Sequence, residues 1–253
     1  MKDLFVHKGS IVREIWGNAD TVLLVFAGAS AEFALNRSVD WLYFTGRLPA
    51  DPLGRLFSTV GYAQEIVFAE KEAAYTAIDK ITSIHQGVEK SRGARIPASA
   101  YLDVLFMLID YSIRSFELLN RKLNENEKAE VFDVFYRVGA RMGLEYLPEN
   151  FADWLLLRAE YLQNDLVCSE FTRDLYRQYK KNLGSYRYRI LIHAQVLLTP
   201  PRVSRLLELP GWSLLSLLLP IYRFLRSLGM DKVVKTLLLP AKYKDRIAAL
   251  TLQ

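Results

Sequence analysis

Three residues in the stretch GRLFSTVGYAQEIVFAEKEAAYTAIDKITSIHQGVEK, residues 54–90, have the types and spacing to do chemistry: Arg55, Thr59 and His85. Arg55 and Thr59 are four residues apart, so on a helix a guanidinium and a hydroxyl project side by side. His85 continues the apolar seam Ala74, Ile78, Ile81, His85, Val88, which turns it towards the packed face of its helix. An inward imidazole serves either as a core group hydrogen-bonded to a neighbour or as a metal ligand. The Arg/Thr pair is either a surface arginine with a threonine bonded back to its own helix, or a pair of donors aimed at a negative oxygen.

The elements that carry these residues bear on the choice. Asp51-Pro52 reads as the N-cap and first residue of a helix, because proline lacks only an N–H that would go unpaired there. That helix runs to about Ala69, with Leu53, Leu56, Val60 and Val67 on one face and Arg55, Thr59, Tyr62 and Ile66 on another. A second helix spans Lys71 to about Lys90. Joined by a short turn near Glu70, the two can run antiparallel and set an imidazole against an Arg/Thr pair. This is the layout of a haem pocket, a proximal His with distal donors over the open iron position. The chain lacks a Cys-x-x-Cys-His attachment motif, so haem would be held non-covalently.

Helical spacing of apolar residues continues through most of the chain, and no alternating run bounded by turn residues argues for a sheet. Asp20 is expected to cap a long helix reaching about Tyr43. Pro97 opens a helix through YLDVLFMLIDYSIRSFELLNRKL, and further helices are expected over 125–142, 149–165, 168–183 and 186–198, with Pro200-Pro201 stopping the last. With no repeat, low-complexity tract or Gly/Ser linker, the partition is a single all-α domain over 1–253, with a basic, apolar extension over 203–253.

Composition narrows the classes. In 253 residues, 51% are apolar, enough for a sizeable core. Cys168 is the one cysteine, which excludes internal disulfides and thiolate zinc sites and suits a reducing compartment. Acidic residues are mixed with the basic ones before the first apolar run at Thr21–Ala29, unlike a signal peptide. The net charge of +5 is unevenly spread: residues 1–172 hold 18 Lys and Arg against 24 Asp and Glu, and residues 173–253 hold 15 against 4, a balance of +11. Such a tail suits an anionic surface or is simply solvated. The stretch RDLYRQYKKNLGSYRYR interleaves basic and aromatic residues as single-strand nucleic-acid binders do. The plainer reading is a solvated amphipathic helix, and no nucleic-acid partner is expected.

Residues 209–222 form an uncharged run of 14 between Glu208 and Arg223. A bilayer span needs about 20 apolar residues, so the segment is either an interfacial helix marked by Trp212 and Tyr222 or a core helix kinked at Pro220. The expected location is cytoplasmic, peripheral to the inner face of a membrane.

Over roughly residues 8–200 the sequence resembles the rubber oxygenase catalytic-domain family, which includes latex clearing proteins and a fungal mpaB-type oxygenase. The resemblance is carried by HKGSIVREIWGNADTVLLVFAGASAEFALNRSVDW, RLFSTVGYAQEIVFA, AIDKITSIHQGVE and DVLFMLIDYSIRSFELL. It implies an all-α fold with a globin-like core, b-type haem, and O2-dependent cleavage of a C=C bond in an isoprenoid or similar lipid. His85 matches the proximal ligand, and Arg55 and Thr59 match the distal Arg and Thr. Ser58 stands where latex clearing proteins carry a Lys that caps the iron, so a lysine-capped resting state is not expected. A second His found in many members is absent here, and Asp110 lies in its region. Asp110 is thus a candidate proton acceptor or propionate-side contact; the alternative is a helix carboxylate satisfied by a nearby Arg.

The resulting expectation is a haem-dependent oxygenase acting on O2 and an apolar small-molecule or lipid substrate. Arg55 and Thr59 would donate to oxygen, and the apolar residues of helices 21–44 and 101–119 would line a channel. The alternative is a haem or lipid carrier or sensor that uses the same pocket without turnover.

Overall fold

The computed structural model describes residues 3–44 and 50–227, apart from the side chains at 42, 52, 53, 55, 56, 57 and 227. Its chain runs through α1 (Ile11–Trp16), α2 (Ala19–Phe33), α3 (Asp40–Phe44), α4 (Pro52–Phe68), α5 (Lys71–Arg92), α6 (Ala98–Leu119), α7 (Glu125–Arg141), α8 (Phe151–Asn164), α9 (Glu170–Leu198), α10 (Pro201–Leu206) and α11 (Leu215–Ser227). The described residues form no strand, only the isolated bridges Leu4 to Glu70 and Asn36 to Leu166. The fold is a single all-α domain.

Most helix starts follow from local chemistry. Asp51 Oδ1 accepts the Gly54 N–H at 3.0 Å with Pro52 behind it. Asn124 and Glu127 close a reciprocal capping box on α7, which satisfies two backbone donors that the helix itself leaves open. At the start of α2 the cap is Asn18, whose Oδ1 accepts from Asp20 and Thr21, two residues earlier than the expected Asp20.

The expected long helix from 20 to 43 is broken. α2 stops at Phe33, and α3 starts again at Asp40. Between them Asn36 Oδ1 accepts the Ser38 N–H at 2.7 Å, the Asn36 side-chain amide donates to Asp103, and Leu35 O accepts from Val167 N at 2.7 Å. An asparagine side chain offers the backbone a competing partner, and here cross-chain bonds fix that alternative.

The core centres on α2 packed along α6, with α1, α7 and α8 closing one side and α9 the other. Trp16, Trp154, Tyr111, Phe106 and Phe116 are its largest fully buried side chains. Trp16 Nε1 donates to Ser112 Oγ at 3.1 Å, and Gln64 Nε2 donates to Trp16 O at 2.8 Å, which ties α4 to α1. α9 bends at Gly184, whose φ of 73° lies where only glycine is unstrained. The two helices expected on either side of residue 184 are thus the two arms of α9, which meet at this non-helical glycine.

Candidate functional site

α4 and α5 form the antiparallel pair expected from the sequence, joined through Ala69 and Glu70. The join is pinned to the N-terminal segment: Phe5 N donates to Ala69 O at 3.2 Å, and Lys71 N donates to Asp3 O at 2.8 Å. Arg55 and His85 stand about equally far along the chain from this turn, so the hairpin sets their helix turns level. The Arg55 side chain lies outside the described residues, as do Leu53 and Leu56 of the expected apolar face.

On α4, Val60 and Val67 are buried as expected, but so are Ile66, Ala63 and Gln64. Ile66 therefore belongs to the core face and not to the face of Arg55 and Thr59. Core contact spans a wider arc than the four-residue seam suggested, because both α1 and α9 pack on this helix. Thr59 is half-buried, and the neighbouring Tyr62 ring lies under the Lys80 ammonium at 5.7 Å. Ser58 is exposed, and its Oγ donates to the Gly54 carbonyl of its own helix at 3.0 Å. That hydroxyl is committed to α4.

The seam of α5 is graded. Ala74, Ala77 and Ile78 are fully buried, whereas Ile81, His85 and Val88 are half-buried. The first half of α5 is thus sealed into the core, and the half carrying His85 is partly open. His85 packs its ring against Tyr101 of α6, centroids 5.1 Å apart. Tyr101 is held in turn by its hydroxyl, which donates to Glu89 Oε1 at 3.4 Å, and the same oxygen takes the Ile96 N–H at 2.8 Å. Burial, followed by the adjacent Glu89 charge, raises the Tyr101 pKa, so the phenol beside His85 stays neutral. The far end of α5 is fastened by Arg92, which pairs with Asp40 at 2.8 Å and lies over Trp41 at 3.9 Å. The other histidines have structural partners. His7 Nε2 meets Glu130 at 2.9 Å, and His193 Nδ1 accepts from Leu214 N at 3.4 Å.

Asp110 is not near His85's ring contacts but in a buried ionic cluster. Arg158 of α8 donates from Nε and Nη2 to Asp110 Oδ2 at 3.1 and 2.9 Å, and Arg114 Nε donates to Oδ1 at 2.6 Å. Arg158 also forks onto both oxygens of Glu32, and Tyr111 OH donates to Glu32 Oε2 at 2.9 Å. Burial opposes the charge on Arg158, but the two carboxylates override it and hold the guanidinium protonated. Asp110 thus meets the alternative role weighed for it, a carboxylate satisfied by arginines. Neither Glu32 nor Arg158 stood out by motif, although Glu32 is a lone charge in the apolar run VLLVFAGASAEFAL and Arg158 directly follows the apolar stretch WLLL. Such a charge is rarely buried without a partner.

Among the described residues no three His, Cys, Asp or Glu side chains come together as a metal site, and no helix is long and apolar enough to cross a membrane. No curated protein and no solved structure matches the chain. A family comparison does: the description "ER-bound oxygenase mpaB/B'/Rubber oxygenase, catalytic domain" covers residues 16–229, from the last residue of α1 past the end of α11. The chain belongs to this family of oxygenase catalytic domains and is an enzyme of that class.

Proposed function

We propose that this oxygenase is b-type haem-dependent, with a globin-like helical pocket in which His85 would hold the haem, and that it oxidatively cleaves an isoprenoid or similar lipid alkene. The observation that carries the reading is the position of His85: an imidazole on the open half of α5, braced by Tyr101 and level with the first turns of α4. The donor set supports it. A non-haem iron site needs two histidines and a carboxylate, or a comparable cluster, and the described residues bring no such cluster together. Haem iron takes four ligands from the macrocycle and asks the protein for one imidazole, which is what this hairpin offers.

Bound haem would supply the redox chemistry that activates O2. The chain's own residues do the rest. His85 would hold the group, its ring packed on Tyr101, whose phenol is itself fixed by Glu89. Arg55 and Thr59, four apart on α4, would donate hydrogen bonds to oxygen atoms that gain negative charge in the reaction. Donors set in place beforehand in a dry pocket do this at no reorganisation cost. Ser58 contributes no ligand, because its hydroxyl is bonded within α4. Asp110 is engaged by two arginines, so it acts by holding α6 and α8 together, not by moving a proton.

The test is the visible spectrum of the purified protein, with pyridine extraction to type the haem. The expected result is a Soret band that His85→Ala abolishes or strongly weakens, and that His7→Ala and His193→Ala leave unchanged. A full haem complement with an unchanged spectrum in His85→Ala would remove His85 as the ligand. A carrier or sensor would keep the spectrum and show no turnover of an isoprenoid alkene.

A further inference from the structure

The uncharged run near the C-terminus folds as an amphipathic helix that uses one side only. The inward side of α11 is fastened: Leu215 packs on the core, Tyr222 OH donates to Asp20, Arg223 Nε donates to Leu118 O at 3.0 Å, and Arg226 Nη1 donates to Asn120 Oδ1 at 3.1 Å. Its start is fixed by Ser213 Oγ, which donates to His193 O at 2.8 Å. The outward side carries Leu217 at 68%, Ile221 at 57% and Leu218 at 47% exposure, following Trp212 at 66%. Spacing of i, i+1 and i+4 puts the three aliphatic residues on one stripe. Pro220 does not bury the segment, which excludes the core-helix alternative.

We infer that this stripe is a lipid-binding surface, with α11 lying in the plane of an anionic phospholipid bilayer at headgroup depth. The inference rests on α11 and not on the haem reading. A helix of this length cannot span a bilayer, but one with an apolar outer stripe and an aromatic end can lie in the interface.

Charge selects lipid over a protein partner. Trp212 packs against His193 of α9, centroids 6.2 Å apart. Exposed Arg189, one turn earlier on α9, lies on the same side as that ring. Lys180, Lys181 and Arg189 are exposed and form no ion pair among the described residues. Beyond Ser227 the sequence adds Lys232, Lys235, Lys242, Lys244 and Arg246 against Asp231 and Asp245. An apolar stripe in the part of the chain whose balance is +11 suits attraction to anionic headgroups, whereas a second copy of this chain would bring like charge against like.

The experiment is flotation of the full chain with phosphatidylcholine vesicles and with vesicles doped with phosphatidylserine. The wild-type protein should float with the doped vesicles and do so less at high salt. The variant Leu217→Glu/Ile221→Glu should lose recruitment by more than tenfold, with an unchanged melting temperature because both side chains are exposed. The variant Lys180→Glu/Lys181→Glu/Arg189→Glu should lose the preference for phosphatidylserine, by about fivefold for each basic residue removed. His85→Ala should float like wild type, which separates this surface from the haem site. Three results would overturn the inference: no flotation of the wild-type protein, equal flotation of the Leu217/Ile221 variant, or a change of that variant from dimer to monomer with vesicle binding unaffected.

Discussion

A guanidinium and a hydroxyl on the same helix differ in what their loss should cost. In the role proposed for them, Arg55 would bring a full charge and Thr59 a dipole, so a developing oxyanion would lose more when Arg55 is removed. Arg55→Ala is expected to keep folding and haem content while turnover of an isoprenoid alkene falls about 100- to 1,000-fold. Thr59→Val keeps the shape of a half-buried side chain and should cost less. Unchanged turnover in Arg55→Ala would take Arg55 out of the site, and loss of haem together with activity would make it a propionate anchor. Asp103 poses a different residue-scale question. It is 1% exposed, takes a hydrogen bond from Asn36, and leaves Oδ1 without a partner among the described residues. Burial, then the nearby Glu32 charge, raises its pKa well above the carboxylate range. A carboxyl raised in the folded state binds more protons there than when unfolded. Its stabilising contribution is therefore full below about pH 4 and is lost as pH rises through the folded value. Asp103→Asn keeps an acceptor for Asn36 and removes the titration. Its urea midpoint should match wild type in acid and pull ahead of it towards neutral pH, and parallel profiles would show that Asp103 does not titrate between the two states.

At the scale of elements, α2 and α6 meet closely because Gly28 has no side chain. A Cβ at Gly28 would fall 2.2 Å from the Tyr111 ring, and that ring is fully buried and tied through its hydroxyl to Glu32. Gly28→Ala would gain about 1 kcal/mol in helix propensity against about 1–3 kcal/mol for overpacking a closed core. The ring is held at its hydroxyl end and cannot swing aside, so overpacking should win. A lower urea midpoint is expected, and a raised one would show that α2 and α6 can separate without cost. The helices themselves were largely legible. Asp51-Pro52 and Pro200-Pro201 are local signals, and α4 and the end of α9 fall where those signals put them. The break in α2 was not legible in that way. Asn36 sits in the helical run ALNRS, and what ends the helix is Asp103 and Val167, which are distant in sequence. The site was half legible. Seam spacing turned His85 inward, but Tyr101, which packs on its ring, comes from α6 across a loop that periodicity does not describe.

At the scale of the whole molecule, the cluster of Glu32, Arg158 and Asp110 joins α2, α6 and α8, elements brought together only when the chain has closed. Arg158 is 4% exposed and Glu32 0%, so both ions have given up their hydration for each other. Compared with apolar groups of the same size, such a cluster adds little stability, but breaking it leaves a buried charge with no counter-charge, which costs about 3–5 kcal/mol. Arg158→Met should therefore lower the melting temperature by about 6–20 °C for a chain of this size. The combination Arg158→Met/Glu32→Gln/Asp110→Asn should recover most of the loss, since it removes the stranded charges as well. The same pair of variants tests the two roles weighed for Asp110. If Asp110 only secures α6 against α8, the triple variant regains turnover along with stability. If the triple variant is stable and inactive while haem remains bound, Asp110 is part of the chemistry and its pairing with Arg158 tunes that role.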